Sequence, residues 1–237
     1  QPGSAQVKND LGLVLAQLGQ IAPAEQAYRQ AISLQADFSS AYNNLGDLLF
    51  RQGHPFQAAR LLEKAVELNP QSLSALKNLA ECHRVSGALS EGLKSVDKAL
   101  TLQAGFPNAH NLKGLILQDL GDFYHAESAF DQAIKIQPDY PEARFNRSLL
   151  RLQQEQIDTA KQDYQQRFSV NSYQKCYSPF SLPYWDGSPL DQSQPLYIWS
   201  EGGIGDDIFF SRMVSHIVDR VPIIIFECDD RLEAILC

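Results

Sequence analysis

The sequence predicts a mainly α fold: a right-handed α-solenoid of paired helices, followed by the start of an α/β, doubly wound domain. Three observations predict it. Small and bulky residues recur with a fixed period of 34 from residue 5 to about residue 168. Glycine returns once per period, where a helix would close. Beyond residue 195 two apolar, strand-like runs flank a glycine-rich turn.

In the repeating region the units begin at Ala5, Ser39, Leu73, Pro107 and Pro141. Their eighth position reads Gly12, Gly46, Ala80, Gly114 and Ser148, small residues suited to a close approach of two helices. The fifteenth reads Gly19, Gly53, Gly87 and Gly121, and Glu155 breaks the series. Glycine there fits a left-handed residue ending the first helix of each pair. The twentieth (Ala24, Ala58, Gly92, Ala126, Ala160) and twenty-seventh (Ala31, Ala65, Ala99, Ala133, Arg167) let the second helix nest against the first. Bulky Tyr28, Leu62, Val96, Phe130 and Tyr164 at the twenty-fourth fill the space left between them. Pro70 and Pro138 fall where a helix has just ended and no backbone donor is needed. An irregular bundle would not keep this phase.

These positions resemble the tetratricopeptide-repeat signature, which is itself a 34-residue helix–turn–helix unit. About five repeats are expected over 5–170. Lys113 and Arg147 replace the Leu of Leu11, Leu45 and Leu79 at position seven. That departure predicts a slight re-registration of the fourth unit and a degenerate, capping fifth unit.

Stacked repeats of this kind expose their first helices on a concave side, and the residues expected there are Asn9, Asn43, Asn44, Lys77, Asn78, Asn111 and Asn146. An amide both donates and accepts, so repeated Asn could clamp an extended peptide through its backbone. The sixth-position residues Asn44, Asn78 and Asn146 resemble the asparagine ladder of O-GlcNAc transferases, while Asp10 and Leu112 depart from it. The other reading is that Asn merely solvates a helix surface. The carboxylate clamp of co-chaperone repeats needs basic residues that Asn9, Leu13, Asn44, Ser74 and Asn78 do not supply.

Residues 171–195 are rich in Pro, Ser and aromatics and read as an ordered connector. Residues 196–237 read as strand, Gly-rich turn, helix and strand, the first unit of a doubly wound sheet. The stretch from Trp185-Asp186-Gly187 through Glu201-Gly202-Gly203-Ile204-Gly205-Asp206 to Phe209-Phe210-Ser211-Arg212 resembles bacterial repeat-containing glycosyltransferases, with Gly202 a departure from the usual Gln. Gly205-Asp206 is also similar to the pair after the first strand of heptosyltransferases. That resemblance implies Asp206 as general base, a loop of Glu201, Gly202, Gly203 and Gly205 framing the acceptor, and a nucleotide-sugar donor in a longer parent protein. A plain helix cap at Asp206 is the alternative. Two strands do not complete such a domain, so this stretch alone is expected to be inactive and to hold no cofactor.

The net charge of -8 argues against a nucleic-acid partner, which needs a basic surface. No apolar run reaches the roughly 20 residues of a membrane helix. Cys82, Cys176, Cys228 and Cys237 show no metal-ligand spacing, and His54, His83, His110, His125 and His216 stand apart, so free thiols and structural histidines are expected in a cytoplasmic protein. The function predicted is a scaffold that holds a protein or peptide in its groove, as the acceptor-recruiting part of a larger glycosyltransferase. The alternative is a self-associating scaffold, a homo-oligomer in which one groove takes another copy's tail.

Overall fold

The computed structural model describes residues 4–170 and two short backbone segments, 196–199 and 224–227. The chain divides into two units, Gln1–Arg167 and Phe168–Cys237. Among the described residues the first is built from five helix pairs: α1 (Ala5–Gln17) with α2 (Ile21–Leu34), α3 (Ser39–Arg51) with α4 (Pro55–Leu68), α5 (Leu73–Val85) with α6 (Leu89–Leu102), α7 (Pro107–Asp119) with α8 (Phe123–Ile136), and α9 (Pro141–Gln153) with α10 (Ile157–Tyr164). A short 3-10 turn, Gln165–Ser169, follows. Each first helix begins on the residue that the 34-residue phase names.

Local chemistry sets these boundaries. Ser4, Ser72 and Asp122 accept from backbone N–H groups in the first turns of α1, α5 and α8. Pro55, Pro107 and Pro141 open α4, α7 and α9, where a missing N–H costs nothing. Each first helix closes on a left-handed residue, with φ of 74, 81, 78 and 79° at Gly19, Gly53, Gly87 and Gly121. The next N–H then reaches back to the last turn, as His54 does to the Leu49 carbonyl at 3.0 Å. The fifth pair closes in the same way although its residue is Glu155, at φ 61°. There the Gln156 N–H reaches the Arg151 carbonyl at 2.9 Å.

Within a pair, positions eight and twenty-four meet. A Cβ added to Gly12 would lie 2.5 Å from the Tyr28 ring, one on Gly46 would lie 2.7 Å from Leu62, and one on Gly114 would lie 2.5 Å from Phe130. Where the eighth residue is Ala80, its counterpart shrinks to Val96, and both are buried in the same cluster. Size at one position answers size at the other.

The fourth unit is not re-registered. α7 starts at Pro107 in phase, and Lys113 keeps position seven by donating to Asp97 at 2.7 Å, back in α6. Arg147 does likewise to Asp131 in α8. In both seams an ion pair between residues 16 apart stands where Leu45 and Leu79 are buried in the earlier seams. The fifth pair adds a second device: Arg144, Arg147 and Arg151 all reach the buried Asp163 carboxylate of α10. Arg151 also pairs with Glu127 at 2.7 Å.

In the second unit, β1 (Leu196–Trp199) and β2 (Ile224–Glu227) pair in parallel, Leu196 opposite Ile224 and Trp199 opposite Glu227. The connector 171–195 and the turn and helix expected between the strands lie outside the described residues.

Candidate functional site

Curvature follows from which helices touch. First helices pack on the first helices of the next pair, α1 on α3, α3 on α5, α5 on α7 and α7 on α9, whereas no two second helices among the described residues approach as closely. The row of first helices therefore lies on the inner radius of the stack. The expected groove residues all belong to this row.

Their amides are joined to one another. Asn44 donates to the Asn9 side-chain oxygen at 2.8 Å, Asn78 to Asn43 at 3.1 Å, and Asn146 to Asn111 at 3.0 Å. Each bond runs from position six of one unit to position five of the unit before it. Asn9 and Asn111 are consequently buried rather than exposed, which corrects the expectation that all seven residues face the groove freely. Asn43, Asn44, Lys77, Asn78 and Asn146 remain half-buried. An Asn side chain has two N–H donors, and each rung uses one, so a second donor stays available at Asn43, Asn44, Asn78 and Asn146.

The series skips one rung. Between the third and fourth units the two positions hold Lys77 and Leu112, and no amide bond can form. Lys77 turns instead to the Asn78 oxygen at 3.2 Å and to Glu81 at 3.0 Å. Other charges on these helices are also paired, Asp47 with Arg51 at 2.9 Å and Arg84 with Asp119 at 3.1 Å. Polar recognition on this face therefore rests mainly on amides, with no block of one charge.

Tyr140, in the turn before α9, is a residue the sequence reading missed. Its hydroxyl bonds the Asn111 side chain, and burial first, then the Glu142 charge, pushes its pKa up to about 12 despite that bond. Recurrence of Phe38, Phe106 and Tyr140 at one repeat position was the available signal.

Two of the described histidines make local bonds. His110 bonds the Ala104 carbonyl at 2.9 Å, and His125 bonds Asp122 at 2.8 Å. Cys82 is a free, buried thiol whose pKa burial pushes up to about 12, so it is no nucleophile. Among the described residues no cluster of His, Cys, Asp or Glu could hold a metal, and no helix is long and apolar enough to cross a membrane. Glu201, Gly202, Gly203, Gly205, Asp206 and His216 lie outside the described residues.

Stacked helix pairs with a continuous inner face define a helical-repeat protein. Family models confirm the kind of repeat: "TPR repeat" matches residues 12–53, and "Tetratricopeptide repeat" matches 43–109 and again 107–140. The chain is a tetratricopeptide-repeat protein. No curated protein matches it. Among solved structures, MamA is similar at 19% identity with a TM-score of 0.60, over 77% of this chain and 100% of that one. A thermophilic TPR protein of Thermus thermophilus is 22% identical with a TM-score of 0.61, over 71% and 92%. YrrB, described as a TPR protein with an unusual peptide-binding site, is 17% identical with a TM-score of 0.56, over 73% and 89%. At these identities the likeness concerns the fold.

Proposed function

We propose that the inner face of the first helices holds an extended peptide segment of a partner protein, gripped through its backbone by the spare amide donors. The observation that carries this reading is the set of rungs. They fix Asn43, Asn44, Asn78 and Asn146 in one orientation and leave each a donor, so a peptide carbonyl meets a group that is already ordered. The skipped rung at Lys77 and Leu112 supplies a charged feature for register. The structurally similar YrrB has a peptide-binding site of its own, which supports the class of ligand.

The test is selection of binders from a displayed peptide library, followed by titration against Asn78→Ala and Asn146→Ala. Loss of affinity in both variants, with the helical circular dichroism retained at the temperature of the titration, supports the grip. Equal affinity for both variants refutes it.

We further propose that the parent protein is a glycosyltransferase and that the repeats recruit its acceptor. The support is the resemblance of 185–212 to repeat-containing glycosyltransferases, together with the parallel β1–β2 pair. Parallel strands need a crossover connection, as a doubly wound domain provides. In that reading Asp206 is the base, Glu201, Gly202, Gly203 and Gly205 frame the acceptor, and a nucleotide sugar is the donor. A cytoplasmic location fits the free thiol. Full-length protein should lose sugar transfer on Asp206→Ala while still binding peptide, and retained turnover would remove Asp206 from that role.

A further inference from the structure

We infer that the segment held on the inner face is proline-rich and lies there as a left-handed polyproline II helix, three residues to each seam between helix pairs. The inference rests on the backbone grip proposed above and gives its ligand a chemistry. The side-chain oxygens of Asn9, Asn43, Asn44, Asn78 and Asn111 each already accept a bond from a neighbour on this row. An oxygen with one partner is satisfied, whereas the second N–H of each amide needs an acceptor of its own. The row therefore asks for carbonyls and gives little to an incoming N–H. Proline supplies a carbonyl and brings no N–H.

Spacing points to the same conformer. Neighbouring first helices are joined by side-chain bonds, and helices packed that closely stand about 8–10 Å apart. Polyproline II repeats every three residues, and at a rise of about 3.1 Å per residue one turn covers about 9 Å. Every third carbonyl thus returns to the row one seam further on. A β-strand brings its carbonyls back to one side every two residues, about 6.7 Å apart, and falls out of step. An α-helix bonds its carbonyls internally, save those of its last turn. The ground beside the rungs suits pyrrolidine rings. Positions five, nine and twelve lie on one face of a first helix. Position twelve of one unit meets position thirteen of the next, as Arg84 bonds Asp119 and Gln118 bonds Gln153, both at 3.1 Å. In the seam before those, the two positions hold half-buried Phe50 and exposed Val85, with half-buried Leu115 at position nine of the fourth unit. All three are apolar, and each has a repeat on either side. The charges around them are paired with one another, so a neutral segment disturbs none.

Fluorescence anisotropy of the intact chain tests this with two labelled twelve-residue peptides, one of Ala-Pro-Pro repeats and one of Ala-Gly-Ser repeats. The proline peptide should bind ~10-fold tighter or more, because it strands fewer N–H groups and has less freedom to lose. Asn78→Ala and Asn146→Ala should each weaken it ~5-fold or more, with the helical circular dichroism retained. The first and last rungs stand three seams apart, about nine residues of this helix. Cutting the proline peptide to six residues should therefore cost at least ~5-fold as well, since it no longer reaches every rung. Equal affinity for the two peptides, each weakened by Asn78→Ala, overturns the inference and leaves the backbone grip standing. So does a proline peptide that fails to bind where library-selected peptides succeed. Binding of the proline peptide that ignores both substitutions overturns the grip as well.

Discussion

At the scale of single residues, size complementarity and backbone handedness decide how each helix pair closes. The Cβ that Gly114 lacks would sit 2.5 Å from Phe130, so the ring and the missing atom claim the same space. Alanine is the better helix former, yet Gly114→Ala should cost ~1–3 kcal/mol through overpacking. The double variant with Phe130→Val copies the Ala80–Val96 pair of the third unit and should recover part of that loss. Paired thermal melts measure both. Glu155 offers the opposite case. It holds a left-handed conformation that the four equivalent glycines adopt freely, at φ 61°. Glu155→Gly should therefore stabilise the protein, by ~1 kcal/mol after the added freedom of the unfolded chain is counted. A lower midpoint for this variant would show that the left-handed turn is not strained.

At the scale of elements, the seams between helix pairs are of two kinds. The earlier seams bury Leu45 and Leu79, whereas the later ones use Lys113 with Asp97 and Arg147 with Asp131. These ion pairs are partly exposed and worth ~0.5 kcal/mol each, a contribution that salt screens. Hydrogen exchange in high salt should accordingly loosen α7 to α10 while α1 to α4 keep their protection. Uniform loosening along the stack would contradict the distinction. Asp163 is different, because it is buried among Arg144, Arg147 and Arg151. Asp163→Asn would leave three guanidinium groups sharing a neutral amide, with an expected loss of ~3–5 kcal/mol. Thermal unfolding of this variant should show the last pair melting first.

At the scale of the whole molecule, a solenoid is a chain of neighbours, and its stability is close to a sum of units and seams. A titrating group at one seam therefore weakens the stack from that seam outward. Tyr140, in the turn that leads into α9, is tied to Asn111 of α7, and its pKa stands at about 12 against an ordinary 10.0. The folded value is the higher one, so the stabilisation is whole below pH 10 and drains as pH rises through about 12. Tyr140→Phe should lose a little stability near neutrality and regain that ground against wild type on the alkaline side. Unfolding curves across that range would show the two crossing or converging, and parallel curves would free Tyr140 from the alkaline transition.

How much was legible in the sequence follows from how far apart the interacting residues are. Helix starts, the closing glycines and the pairing of small with bulky positions are settled inside one unit, so five copies of the same local solution made the phase readable from Ala5 to Pro141. Other features needed the stack. The bond from Asn44 to Asn9 spans 35 residues, and that from Lys113 to Asp97 spans 16. Each forms because neighbouring pairs lie at one fixed rotation, which no single unit encodes. For the same reason the sequence read Lys113 as a shift of register, Glu155 as a break in the glycine series and Asn9 as an exposed groove residue. Sequence alone determined the repeat, its boundaries and its helical class, because these depend on residues close along the chain. The tertiary structure decided which amides face one another and which seams are ionic, because these depend on one unit's geometry against the next.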